Sequence, residues 1–309
     1  MTALTEVAGY IPSQTVEIAD LAEELGITPA DLRIFHRYFD LHRIRLAPDK
    51  DLRGLMVAAA DALTGLRGNE HRVRYVIAGR TIGTVGRVSE NALHEACDEL
   101  GLGHAVALTV GEHACASGLL AVDLAGRLLA ADGDADGLAL VLTGEKATIP
   151  GSRMIPGTTV MGESSAACLV RAGGGAGELL GYAARTYGEY HRVTPPRELA
   201  VRFGQQYLPM LVDAMRGAVT AAGIGFADLA LILPHNVNRY SWSRVCQQLG
   251  LPLDRVHLDN VPELGHCFGA DAFLNHADAL RRGRLAPGDH YLMAGVGLGA
   301  TFAAMVFRH

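Results

Sequence analysis

The sequence predicts an α/β protein made of two similar halves, and three observations point there. Short Val/Leu/Ile/Ala runs alternate with longer helical stretches along all 309 residues, the pattern of strands and helices stacked in layers. The segments Gly162-Glu-Ser-Ser-Ala-Ala-Cys-Leu-Val170 and Gly299-Ala-Thr-Phe-Ala-Ala-Met-Val-Phe307 share a glycine, two alanines and an apolar triplet in one register. Upstream of each, a helix ending Leu100-Gly101-Leu102 or Leu249-Gly250-Leu251 leads through a strand and a loop to a helix of small residues. Two halves, 1–171 and 172–309, each of ordinary domain size, follow from this repeat.

The elements run in order as follows. Asp51–Leu66 reads as a helix by length and periodicity, Val73–Ala78 as a strand, Glu90–Leu100 as a helix and Ala105–Val110 as a strand. Cys115–Ala131 is a helix apolar on nearly every face, which predicts burial between two sheets. Strands Leu138–Thr143 and Ala166–Arg171 complete the first half, and Ala172-Gly-Gly-Gly-Ala-Gly177 is the hinge into the second. There, helix Arg197–Ala222, strand Ala230–Leu233, helix Ser241–Leu249, strand Arg255–Leu258 and helix Ala270–Arg282 lead to strands Tyr291–Ala294 and Ala303–Phe307.

Composition narrows the function. A net charge of −6 with no basic stripe gives no support to nucleic-acid binding. Apolar stretches are broken by Gly, Asp or Arg before the length of a membrane span, and no secretory signal opens the chain. Cys97, Cys115, Cys168, Cys246 and Cys267 form an odd set without a CxxC pair, which reads as reduced thiols in cytoplasm. Gly295-Val-Gly-Leu-Gly299 has no βαβ context for a dinucleotide loop and reads as a tight turn between strands. Asp132-Gly-Asp-Ala-Asp-Gly137 lacks the closing glutamate of a calcium loop, and no HxxxH or paired-cysteine spacing predicts a metal.

Three residues stand out as carriers of chemistry. Cys115, in His113-Ala-Cys-Ala-Ser-Gly118, opens a buried helix, where the helix dipole favours the nucleophilic thiolate. Backbone amides at that helix start can hold an oxyanion. The competing reading is a small core hydrophobe. His235, in Pro234-His-Asn-Val-Asn-Arg239, sits where a strand empties into a polar loop, a usual place for a base or carbonyl-orienting imidazole; its alternative is a structural loop histidine. His266, in Glu263-Leu-Gly-His-Cys-Phe-Gly-Ala-Asp271, lies between glycines ahead of an apolar helix. Its neighbours are weaker candidates, Cys267 as core packing and Asp271 as an anion at a helix start. If the halves are related by a pseudo-dyad, Cys115 and His266 occupy near-equivalent loops and can meet at the junction.

With these pieces the chain resembles the 3-oxoacyl-ACP synthase III (ketosynthase III) group of the thiolase superfamily over nearly its whole length. Five motifs carry the resemblance in order: Ala114-Cys-Ala-Ser-Gly118, Met161-Gly-Glu-Ser-Ser-Ala-Ala167, His235-Asn-Val-Asn238, Leu264-Gly-His-Cys-Phe-Gly269 and Gly295-Val-Gly-Leu-Gly-Ala-Thr-Phe302. The resemblance implies a thiolase fold, a duplicated α-β-α-β-α five-layered architecture. It implies an acyl thioester on Cys115, a catalytic histidine at His235 with Asn238 in support, and an oxyanion-hole amide from Leu298. The family's third catalytic residue, an asparagine, is replaced by His266, so the set is Cys-His-His, as in elongating ketosynthases. The early family motif that helps hold CoA corresponds to Arg33-Ile-Phe-His-Arg-Tyr-Phe39, where the tryptophan is absent.

The expectation is therefore an acyltransferase that loads an acyl group on Cys115, with ketosynthase-like condensation in natural-product or polyketide assembly read slightly ahead of transfer to an alcohol or amine. A non-catalytic partner subunit is the reading from another class. The resemblance implies an acyl-CoA or phosphopantetheinyl carrier thioester as substrate, no further cofactor, an acyl carrier protein as partner, and a homodimer, with Ala105–Val110 as the pairing edge.

Overall fold

The computed structural model describes residues 1–83, 91–147, 150–191 and 196–309. In the first half the strands are β1 (Thr2–Tyr10), β2 (Val73–Gly79), β3 (Val106–Val110), β4 (Leu138–Gly144) and β5 (Ser165–Ala172). In the second they are β6 (Glu178–Thr186), β7 (Leu229–Leu233), β8 (His290–Gly297) and β9 (Thr301–Arg308). The main helices are α1 (Leu52–Asp61), α2 (Ala92–Glu99), α3 (Ser117–Asp132), α4 (Arg197–Ala221), α5 (Arg239–Leu249) and α6 (Asp271–Arg281). The start of the helix expected from Glu90 lies outside the described residues.

Hydrogen bonding links the strands in the order β7-β8-β9-β6-β1-β5-β4-β2-β3. The order joins two copies of one motif back to back, the second copy one strand shorter than the first. The first half runs 3-2-4-5-1 in its own strand numbering, with parallel pairing of β3, β2 and β4 and antiparallel pairing of β4, β5 and β1. The second half repeats it, β7 and β8 parallel, β8, β9 and β6 antiparallel. The two halves join into one sheet at the start of β1 and β6, where Ala3 pairs with Glu178, and an isolated bridge between Met161 and His266 links them again.

Burial follows from this arrangement. All seven residues of β4 are buried, as expected of a strand covered on both faces. One apolar cluster lies between the two sheets and takes in α3, α6 and the inward residues of both halves, such as Ile77, Val141, Leu231 and Met293. A second joins α4 and α5 to the outer face of the second sheet, and a third joins α1 and α2 to the outer face of the first. The layers are thus α-β-α-β-α. Helix and lead-in at Ala114–Asp132 are long and apolar enough to cross a membrane by length and composition. Burial of its first turns between the two sheets accounts for that composition, and only its far end, at Arg127 and Ala130–Asp132, reaches solvent. At its start Gly118 is indispensable: a Cβ there would lie 2.8 Å from the Phe273 ring and 3.1 Å from the Gly269 carbonyl, so only glycine lets the two central helices meet.

Three expectations change. The segment Arg255–Leu258 is no strand: it makes a single parallel bridge, Ile232 with Val256, after a 3-10 turn at Leu253–Arg255. Its Arg255 side chain bonds the Leu229 carbonyl and its His257 is buried against Asp278, so side-chain anchors replace the ladder. The helix predicted at Asp51–Leu66 ends at Asp61, and Cys115 sits in a 3-10 turn, Ala114–Ala116, just ahead of α3. Two strands absent from the sequence reading, β1 and β6, form the seam between the halves.

Candidate active site

Both central helices begin the same way. The 3-10 turns Ala114–Ala116 and Phe268–Ala270 precede α3 and α6, and each opens on a non-glycine residue with positive φ, Ala114 at 46° and Phe268 at 53°. Such strained backbone clusters at functional sites. The structural counterpart of Cys115 is Gly269, and a Cβ on Gly269 would lie 3.4 Å from the Cys115 carbonyl. His266, three residues earlier, comes up beside the sulfur.

Cys115 is 7% exposed and packs with Ala147, Met161 and Phe268, flanked by Ile82 and Ile155. The wall is fixed from behind by the Met161-Gly-Glu163 motif. The buried Glu163 carboxylate accepts from the Ala47 amide at 2.9 Å and the Ala147 amide at 3.2 Å, and pairs with Lys146. The same motif holds His266. Its amide donates to Val160 O at 3.0 Å and its carbonyl accepts from Gly162 N at 2.9 Å, so the first half sets the backbone of a residue supplied by the second.

The His266 ring is buried, facing the Cys115 sulfur on one side and hydrogen-bonded through Nδ1 to the Asp271 carboxylate on the other. Asp271, at the first turn of α6, is satisfied by two further donors, the Cys267 amide at 2.7 Å and the Asn236 amide at 2.5 Å. Burial alone would push His266 toward the neutral form. The Asp271 carboxylate and the Cys115 sulfur outweigh it and raise the pKa to about 10. Sequence reasoning gave Asp271 only the role of an anion at a helix start. Its five-residue spacing from a loop histidine was the available signal.

His235 follows β7 and Pro234 and is equally buried, its ring centroid 6.4 Å from that of His266. Burial and the charge on His266 depress its pKa to about 3, against a smaller opposing pull from the Ala294 carbonyl, so the imidazole is neutral. Its Nε2 lies 2.7 Å from the Tyr207 hydroxyl, and Trp242 packs edge-on at 5.4 Å while its indole N–H donates to the His235 carbonyl at 2.9 Å. Tyr207 comes from α4 and carried no local signal in the sequence.

Asn238 is buried and serves the backbone. Its Oδ1 accepts from Ser241 N at 2.7 Å, capping α5, and its Nδ2 donates to Thr158 O at 3.1 Å. Leu298 stands in the turn after β8 with its side chain 59% exposed. That turn is pressed onto the cysteine loop: a Cβ on Gly297 would fall 1.8 Å from the His113 carbonyl. Cys97, Cys168, Cys246 and Cys267 are buried free thiols whose pKa burial raises; Cys267, next to His266, turns its sulfur to the Leu264 carbonyl at 3.6 Å.

Residues 219–309 match the family described as the C-terminal part of 3-oxoacyl-[acyl-carrier-protein] synthase III. Beta-ketoacyl-[acyl-carrier-protein] synthase III of Pseudomonas aeruginosa (strain LESB58) is 33% identical over 106 residues, 34% of this chain and 32% of that protein, so the sequence likeness spans about a third of the relative's length. The likeness in structure is much wider. The 3-oxoacyl-(acyl carrier protein) synthase III of Pseudomonas aeruginosa PAO1 superposes with a TM-score of 0.82 at 24% identity, covering 99% of this chain and 98% of that one. The acyltransferase ChlB3 superposes with a TM-score of 0.86 at 21% identity, covering 99% and 97%. The duplicated five-layered architecture is the thiolase fold.

Proposed function

We propose that this ketosynthase III-like chain is an acyl-enzyme acyltransferase in which Cys115 takes an acyl group from a thioester and His266, backed by Asp271, delivers it to a hydroxyl or amine. The observation that carries the reading is the relay Cys115–His266–Asp271, a nucleophile, a base and a carboxylate that orients and charges the base.

The proton balance closes within that relay. With its proton held on His266, the Cys115 thiolate attacks the thioester carbonyl. The oxyanion is stabilised at the start of α3, with the Leu298 amide as the second donor expected from the resemblance. Collapse breaks the carbon–sulfur bond of the donor, and the departing thiolate takes the proton from His266. The acyl-enzyme then faces a neutral imidazole that still leans on Asp271. That imidazole accepts the proton of the incoming hydroxyl or amine as it attacks, and collapse restores the thiolate and the imidazolium. No cofactor enters.

Decarboxylative condensation is the second reading, favoured by two buried imidazoles with ring centroids 6.4 Å apart, one of them facing Cys115. It needs both rings to hold a thioester carbonyl. His266 can donate once it regains from solvent the proton it gave the departing thiolate, whereas Nε2 of His235 is already engaged. Acyl transfer therefore ranks ahead of the condensation expected from the sequence.

The acyl donor we infer is a carrier-bound thioester in natural-product or polyketide assembly. Support comes from the surface beside the His235 loop, where exposed Ile34, Tyr38 and Tyr240 lie among Arg37 and Arg239, and the tryptophan of the CoA motif is missing. Intact-protein mass spectrometry tests the reading. Acyl thioesters should add one acyl mass to the protein but not to Cys115→Ala, and an alcohol or amine acceptor should discharge it. No adduct with carrier or CoA donors would reject acyl-enzyme chemistry. An adduct discharged only by a malonyl thioester would favour condensation.

A further inference from the structure

We propose that Tyr207 determines which reaction follows acylation: its hydroxyl occupies Nε2 of His235 and so withholds the second hydrogen-bond donor that decarboxylative condensation requires. The inference rests on the acyl-enzyme reading above and concerns the same cavity.

The geometry is tightly specified. The phenol oxygen lies 2.7 Å from Nε2. The Tyr207 ring is held edge-on by Phe302 at 5.5 Å and by Phe203 at 5.8 Å. On the opposite side Trp242 fixes the His235 ring and its carbonyl, so neither partner can swing away without breaking aromatic packing. The tyrosine is half-buried overall, its hydroxyl enclosed, and it feels the Cys115 charge. A substrate carbonyl approaching His235 would have to displace it.

The proton count points the same way. Tyr207 is neutral, because burial raises its pKa, and His235 is neutral as well. One proton therefore lies between phenol and imidazole. The Ala294 carbonyl favours a proton on the imidazole, although its geometry falls short of a full hydrogen bond and Nδ1 has no other partner among the described residues. A proton on Nδ1 leaves Nε2 as a bare acceptor filled by the tyrosine O–H. If the proton sits on Nε2 instead, it is spent on the phenol oxygen. In both arrangements His235 has nothing to offer a thioester carbonyl. A malonyl thioester losing CO2 must place the electron pair of the broken carbon–carbon bond on its carbonyl oxygen as an enolate. Without the His235 donor that oxyanion has only His266.

Tyr207→Phe is the test, because phenylalanine keeps the packing against Phe203 and Phe302 and removes only the hydroxyl. Three measurements are made on the full chain: acyl adduct on Cys115 by mass spectrometry, CO2 release from malonyl-CoA and from a malonyl carrier, and the 15N resonances of His235. The wild-type protein should show a neutral His235 whose Nε2 is hydrogen-bonded, and slow CO2 release. The variant should still form the adduct, show an Nε2–H tautomer free to donate, and release CO2 at least about tenfold faster, within the range one positioned donor supplies. Adding His235→Ala to the variant should abolish the gain, which a merely structural role of Tyr207 would not predict. Wild-type CO2 release as fast as the variant's, or a variant His235 whose Nε2 carries no proton, would overturn the inference. Absence of any adduct in both proteins rejects the acyl-enzyme reading instead, and the 15N comparison still decides the hydrogen bond.

Discussion

A histidine enclosed between a thiol and a carboxylate cannot be treated as a lone base. His266 would be neutral at physiological pH if burial acted alone, and the Asp271 carboxylate is the first-ranked influence keeping it charged. Asp271→Asn should therefore drop the His266 pKa from about 10 toward the ordinary 6.5 and slow acyl transfer by about 10⁴-fold, the scale of losing the orienting carboxylate of a triad. Alkylation of Cys115 by iodoacetamide across pH reads the first effect, and single-turnover discharge of the adduct reads the second. A raised histidine pKa contributes stability that is complete below pH 6.5 and fades as pH climbs through 10, so the stability deficit of Asp271→Asn should be largest below pH 6.5 and shrink as pH rises toward 10. A variant with unchanged alkylation profile and discharge would reduce Asp271 to a helix anion. Cys115 and His266 stood out in the sequence because glycines and small residues frame them, and His235 because a strand empties there into a polar loop. Asp271 was visible but underweighted, since a carboxylate in a first helical turn has an ordinary explanation. Tyr207 was illegible, because its meaning lies in what meets it across 28 residues of chain.

Helix α6 shows how an element can be both core and scaffold. Its Asp271, Asn275, His276 and Asp278 are all buried. Asn275 donates to Pro234 O and Asn236 Oδ1, each at 2.8 Å, and accepts from Asn260 at 2.8 Å, bolting the His235 loop to the helix that also carries Asp271. His276 is the exception. Neither ring nitrogen has a partner among the described residues, the ring faces Tyr291 at 5.0 Å and His309 at 6.3 Å, and burial depresses its pKa to about 3. A depressed histidine is neutral when folded and takes a proton when unfolded, so its penalty appears as pH falls from 6.5 toward 3, at roughly 1.4 kcal/mol per pH unit. His276→Phe should leave stability at pH 7.5 within about 1 kcal/mol and raise it by about 2 kcal/mol at pH 5. Urea unfolding at the two pH values checks this, and an equal effect at both would mean that packing, not protonation, is what changed. Elements with long apolar runs, such as β4 and α3, were readable because burial on both faces leaves a continuous signal. β1 and β6 were not, because each is fully apolar only in patches; the half-buried Glu6 and the exposed Arg185 break the pattern.

At the scale of the whole molecule, duplication solves the two halves' shared problem and leaves one edge open. The seam joins β1 to β6, and beyond β7 the second half is extended by the Val256 bridge. At the other end β3 presents its outer side with Val106 57% exposed and Leu108 and Val110 half-buried. An apolar edge of this kind templates further pairing unless something covers it. We propose that a second copy does, β3 against β3 about a twofold axis, which makes the two sheets of two chains continuous. An isologous contact sets each residue near its own copy, so one added charge is felt twice. Val106→Asp combined with Leu108→Lys breaks the apolar strip and should convert the protein to a monomer, while wild type scatters light as a species of about 65 kDa, twice the 32.7 kDa chain. The pairing would also steady β3 and the loop it feeds, Gly111 to Ala114, whose last residue already holds strained backbone beside Cys115. The monomeric variant should therefore keep its far-ultraviolet dichroism and yet acylate Cys115 more slowly. A wild-type monomer that acylates normally would show that the edge is left open and that the cysteine loop needs no support from a partner.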